Sequence, residues 1–222
     1  MRRTAVSLAL LSLLAAGGVS SATAATKLSC NLISDISGDA VYNNVPGTDS
    51  EDIVGGDLAS DGKTLTAVIR LKALAYPDPQ WAPGRVYSVS FGLKGSDADE
   101  IFMAARTYPQ GVQYILGHRA ADPTSGINTS YKDADVKGAI DTAKGEVRIS
   151  APVSAIAKLG KISKGTIIKG ATAKTERIAG QGAVPSQEVN GTRVPLGGLL
   201  LQEDLSDAGK PYTVGVKSCV KP

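Results

Sequence analysis

Apolar and polar residues alternate with a period of two over much of this chain. The clearest run spans residues 65–73. Leu65, Ala67, Ile69, Leu71 and Ala73 fall on one side, with Thr66, Val68, Arg70 and Lys72 opposite. Successive strand side chains point to opposite faces, so the pattern predicts an antiparallel strand with one buried and one wetter face. Ser60-Asp61-Gly62-Lys63 precedes the run. Asp-Gly between apolar alternations predicts a hairpin turn. Residues 52–59 supply the other arm, and Gly55-Gly56 marks a bulge within it. Residues 86–94 alternate again, with Tyr87, Val89, Phe91 and Leu93 against Ser88, Ser90 and Gly92. Two more strands, 100–108 and 112–120, flank the turn at Pro109-Gln110-Gly111 and complete a meander.

The remaining stretches are shorter. Residues 27–34 read as a first strand, and 35–49 as a loop punctuated by Asn-Asn and Pro-Gly. Residues 75–85 hold three prolines, which excludes a central strand and leaves a surface loop carrying Trp81. A loop at 121–130, a strand around 136–140, a turn at Lys144-Gly145 and a strand at 146–150 follow. V-S-A-I-A-K-L-G at 153–160 is the one helical candidate, with Pro152 before it and Gly160 at its end. Strands are expected at 166–175 and 212–218, and a polar glycine-rich loop at 181–195. The apolar stretch 196–205 fits either a strand or a helix. Roughly nine or ten short strands and one short helix predict an all-β antiparallel sandwich, immunoglobulin-like or jelly-roll, with a closed barrel as the alternative.

Residues 1–25 change the picture of where the chain works. Met1-Arg2-Arg3, an apolar run over 5–16 and a small-residue stretch ending Ala22-Thr23-Ala24-Ala25 have the layout of a secretory signal peptide. The run is shorter than the about 20 residues that span a bilayer. Cleavage near Ala24-Ala25 is expected, leaving residues 26–222 as one secreted domain with no membrane span. Of the 24 Lys and Arg, two (Arg2 and Arg3) leave with the signal, so 22 remain against 21 Asp and Glu. A net charge of +1 gives no electrostatic reason to expect a nucleic-acid partner. Cys30 and Cys219, near the two ends, predict one disulfide joining the first strand to the last. Closing so long a loop stabilises by about 4–5 kcal/mol at most in the chain-entropy model.

Three sequence features carry a family resemblance. They are Asp35-x-x-Gly38-Asp39-Ala40 with Asp52-Ile53 and the D-G-K-T-L-T strand, then V-R-I-S-A-P-V running to Gly160, and Y-T-V-G near the C-terminus. Together they resemble secreted bacterial β-sandwich modules of the DOMON-like and family-9 carbohydrate-binding-module-like group. The resemblance implies a sandwich. It also implies a ligand among sugars, haem and calcium, or none.

The candidate chemistry is sparse. Asp35, Ser37 and Asp39 are spaced D-x-S-x-D, and Asp49, Glu51 and Asp52 could close a shell around calcium if the loop folds back; calcium takes six to eight oxygens. The competing reading is turn chemistry, in which Asp and Ser bond nearby backbone. Trp81 and Tyr76 are candidates for stacking on a sugar. Met103 and His118 fall on one face of a hairpin centred on Pro109-Gln110, a spacing that permits a haem ligand pair. The chain has one His and lacks G-x-S-x-G, H-E-x-x-H and C-x-x-C, so no catalytic motif is present. The expectation is a non-catalytic binding or structural module, calcium-stabilised, whose partner is an extracellular glycan or another secreted protein. The alternatives are a glycan hydrolase using paired carboxylates and a haem-binding DOMON-type domain.

Overall fold

The computed structural model describes residues 30–42, 44–77, 84–96, 98–121, 128–179 and 199–222. The expected signal peptide, Trp81 and the 181–195 loop lie outside them. Three short strands come first: β1 (Ile33–Ser34), β2 (Val41–Tyr42) and β3 (Val45–Pro46). The long strands are β4 (Ile53–Ser60), β5 (Thr64–Leu71), β6 (Gly84–Gly92), β7 (Glu100–Tyr108) and β8 (Gly111–Ala121). Then come β9 (Asn128–Asp135), β10 (Lys137–Asp141) and β11 (Glu146–Pro152). A single helical turn, α1 (Val153–Ile156), precedes β12 (Ile167–Ala179), β13 (Leu199–Leu205) and β14 (Tyr212–Thr213).

Two antiparallel sheets form an all-β sandwich. One runs β1-β4-β5-β11-β10, and the other β13-β12-β6-β7-β8-β9 with β14 beside β12. The hairpin β2-β3 stands apart. The core lies between the sheets. Leu65, Ala67 and Ile69 of β5 and Val147 and Ile149 of β11 meet Tyr87, Val89, Phe91, Ile101, Met103 and Leu116 of the facing sheet. The period-two reading therefore assigns the inward rows correctly, and the register pairs Met103 with Leu116. The bulge in β4 falls between Ile53 and Gly55. Residue 136 alone separates β9 from β10, so the chain crosses there from the edge of one sheet to the edge of the other.

Several expectations need correction. The second face of β5 is not wet: Thr66 and Val68 are buried, and Val68 clusters with Ala59 and Val220. The C-terminal tail covers that face, and Arg148 donates to the Lys221 carbonyl oxygen from beneath it. The strand expected at 212–218 shrinks to Tyr212–Thr213, after which the chain turns. Cys219 pairs with Cys30, with Cα atoms 5.3 Å apart. The bridge therefore joins this covering tail to the segment before β1, rather than one strand to another. Polar β9, in the stretch read partly as loop, is a full edge strand. The ambiguous 196–205 stretch forms β13.

Because the disulfide clamps the tail over β4 and β5, its loss should loosen that cover as well as the chain ends. Replacing both cysteines by alanine should lower unfolding free energy by about 2–5 kcal/mol. Equal denaturant midpoints for variant and parent would contradict this placement.

Candidate functional site

The acidic loop before β4 is built by local bonds. The amide of Gly47 donates to the Ala40 carbonyl at 2.7 Å, and Thr48 N donates to Glu51 Oε2 at 2.5 Å. A Cβ at Gly47 would lie 2.6 Å from Glu51 Oε2 and 3.0 Å from Ala40 Cβ, so a larger residue there would displace the Glu51 carboxylate. Asp52 is buried and turned toward its own loop. It accepts from the Gly38 amide at 2.8 and 2.9 Å and from Ser37 Oγ at 3.2 Å. Asp49 is exposed and pairs with Lys72 Nζ at 2.9 Å.

This separates the expected ligand set, and Glu51 turns away from it to Arg85 and Arg177. Ser37 and Asp52 bond each other, and Asp49 faces a lysine in solvent. These three are engaged by bonds within the protein: Asp52 by Ser37 and the Gly38 amide, and Asp49 by Lys72. Asp35 and Asp39 do converge, and the third member is Asp204 from β13, which the sequence reading missed. One carboxylate oxygen from each lies within 4.8 Å of the others. The side chain of Asp204 is held on both sides, with Ile53 N donating to Oδ2 at 2.7 Å and Leu205 N to Oδ1 at 2.8 Å. Asp35 Oδ1 accepts from Ile36 N at 2.9 Å. Its Oδ2 is buried without a hydrogen bond. Burial first, then the neighbouring Asp204 carboxylate, pushes Asp35 up to about 7. Burial likewise raises Asp204, against the two amides that lower it. Three carboxylates this close repel, and a cation among them would relieve that repulsion.

Beside this trio lies a buried cluster of two glutamates and two arginines. Glu51 Oε1 is 2.5 Å from Arg85 Nη2 and 3.2 Å from Arg177 Nη2. Glu203 Oε1 is 2.6 Å from Arg177 Nε, and its Oε2 is 3.4 Å from Arg85 Nε. The side chains of Glu51 and Arg85 are each 1% exposed. Thr175 Oγ1 donates to the Glu51 carbonyl oxygen at 2.8 Å. The cluster joins the acidic loop to β6, β12 and β13. Burial, then Glu51, raises Glu203 to about 7, while Arg85 and Arg177 act in the opposite sense. The sequence signal for it was thin: Glu51-Asp52 and Glu203-Asp204 are matched acid pairs. In each pair the glutamate turns to the arginines and the aspartate to the loop.

The other expected ligands fare differently. Tyr76 is half-buried, and Trp81 lies outside the described residues. Met103 is buried in the core. The imidazole of His118 binds Asp133 through Nδ1 at 2.6 Å. No family model, curated protein or solved structure matches the chain. Among the described residues no helix is long and apolar enough to cross a membrane.

Arg85→Leu leaves two buried carboxylates facing one guanidinium, so it should cost about 3–5 kcal/mol. Lys72→Ala, on the exposed pair, should leave the denaturant midpoint unchanged. Equal effects would contradict the cluster's role. The pH dependence follows from Asp35 and Glu203, whose folded pKa values of about 7 lie above their ordinary 3.8 and 4.5. Between those limits the folded chain holds protons that the unfolded chain has released. Stability from these groups is therefore present in mild acid and lost as pH rises toward 7 and beyond. With EDTA present, the melting temperature should be higher at pH 5 than at pH 8, and Glu203→Gln should flatten the slope. A melting temperature rising from pH 5 to pH 8 would contradict this.

Proposed function

We propose that this protein is a secreted, non-catalytic β-sandwich module that holds calcium at Asp35, Asp39 and Asp204 and serves as a binding or structural unit outside the cell. The observation carrying the reading is the convergence of three carboxylates around a buried, unbonded Asp35 oxygen. Calcium–oxygen distances are about 2.3–2.6 Å, so oxygens on opposite sides of one ion stand about 5 Å apart. The trio's 4.8 Å spread falls within that span. Three oxygens are half of the smallest calcium shell, and water would complete it. The ion would offset the burial and the mutual repulsion that raise Asp35 and Asp204, and would pin the loop before β4 to β13. Its role is structural, with no reaction step assigned to it. The partner would be an extracellular glycan or another secreted protein; sugars are among the ligands of the DOMON-like group that the sequence resembles.

Support for secretion comes from residues 1–25 of the sequence and from the Cys30–Cys219 bridge, which fits an oxidising compartment. The hydrolase alternative needs two carboxyls flanking an open cleft. The buried glutamates Glu51 and Glu203 are instead sealed between arginines.

If calcium binds the folded state, a concentration about 100 times Kd adds about 2.7 kcal/mol of stability. For a domain of this size that is a rise of about 5–10 °C in melting temperature. Asp39→Ala should abolish the rise, whereas Asp49→Ala should retain it. A melting temperature unmoved by calcium in the intact protein would end the proposal.

A further inference from the structure

At the opposite end of the seven-stranded sheet from Arg85, where β6 turns into β7, a cavity of about 420 Å³ opens. His118, the chain's one histidine, lines it. On β8 the inward-facing row runs from Tyr114 through Leu116 to His118. The first two pack against the apolar core, and His118 is where that row meets the cavity. The imidazole is 6% exposed. Asp133 holds its Nδ1, and Tyr131 stacks on the ring at 5.2 Å between centroids and 20° between planes. The ring is thereby fixed from β9 by a charge and by a flat contact.

The far wall is the turn after α1. Gly160 brings it close, since a Cβ there would lie 2.9 Å from Leu93 Cβ. That approach places Lys158 and Lys161, both exposed, along the cavity. No Asp or Glu is among the described lining residues, and no Arg. Two ammonium groups with a pinned, buried imidazole favour an anion. A lysine is a point charge with three rotatable donors, which can reach the oxygens of a tetrahedral oxyanion from more than one side. The volume lies in the range of small-molecule pockets, about 300–1,000 Å³, leaving room for an organic portion beside the anionic group.

We propose that this cavity binds a small molecule through a phosphate or sulfate group, with Lys158 and Lys161 at the oxyanion and His118 at the buried wall. The site shares no residue with the calcium trio, so either reading stands without the other. The single histidine makes the test direct: in protein labelled at histidine, the full chain shows only His118 ring resonances. At fixed pH and ionic strength, inorganic phosphate or sulfate should shift those resonances saturably, and chloride should not. A response to phosphate alone identifies phosphate-bearing ligands; a response to sulfate as well extends the class to sulfate esters. The Lys158→Ala/Lys161→Ala variant changes two exposed side chains and should bind at least tenfold more weakly. Absence of a saturable shift with either oxyanion, or a shift that the double variant leaves intact, would overturn the proposal.

Discussion

Two glutamates and two arginines share one dry space at the end of this sandwich, and their need for mutual neutralisation sets the geometry around them. Each charge removed from water must be matched by a partner at hydrogen-bond distance, or the cost reaches several kcal/mol per ion. Arg85 stands at the start of β6 and Arg177 near the end of β12, so both belong to the seven-stranded sheet. Glu51 reaches them from the loop that feeds the five-stranded sheet, and Glu203 from edge strand β13. The cluster therefore fixes how the loop before β4 sits against the facing sheet. The register of β13 against β12 shifts at Glu203, which pairs with no residue of β12. The next residue, Asp204, reaches the amide of Ile53 and lies beside Asp35 and Asp39. The acidic trio and the ion cluster thus meet at consecutive residues of β13.

A second constraint acts on the outer face of the five-stranded sheet. Val68 and Thr66 would be solvated in a bare two-layer sandwich, but the C-terminal tail lies across them and the disulfide holds it there. Beneath the tail, Arg70 bridges Asp57 at 2.7 Å and Glu146 at 3.2 Å, which turns an exposed strand face into a paired polar layer. Asp57 also accepts from the Leu32 amide at 3.1 Å, tying the residues before β1 to the same layer. Covalent closure and charge pairing thus reinforce one another where the two ends of the described chain meet.

What could be read in advance was what depends on neighbours in sequence. The alternation of 65–71, the Asp61-Gly62 turn, the hairpin centred on Pro109-Gln110 and the short helix behind Pro152 are all local patterns, and they place the core rows correctly. Edge strand β9 escaped because its N-T-S-Y-K-D-A-D sequence is polar on both faces, as a half-exposed edge allows. The wet face expected for Val68 failed because its cover comes from Val220, far along the chain. The carboxylate trio was hidden in the same way. Asp35 and Asp39 were legible, but the partner that completes them bonds Ile53 from 151 residues away. Ser37, Asp49 and Asp52 were drawn in by proximity in sequence, yet Asp52 is used up in closing the loop that presents the other two. Arg85 and Arg177 carry no local sign of burial at all.

The most direct test is calorimetric titration of calcium into protein stripped with EDTA and dialysed, alongside an Asp204→Asn variant of matching circular dichroism. One equivalent of calcium should bind the parent, and the variant should bind none or far more weakly. No binding to the parent, or undiminished binding to Asp204→Asn, would contradict a calcium site assembled from the acidic loop and β13.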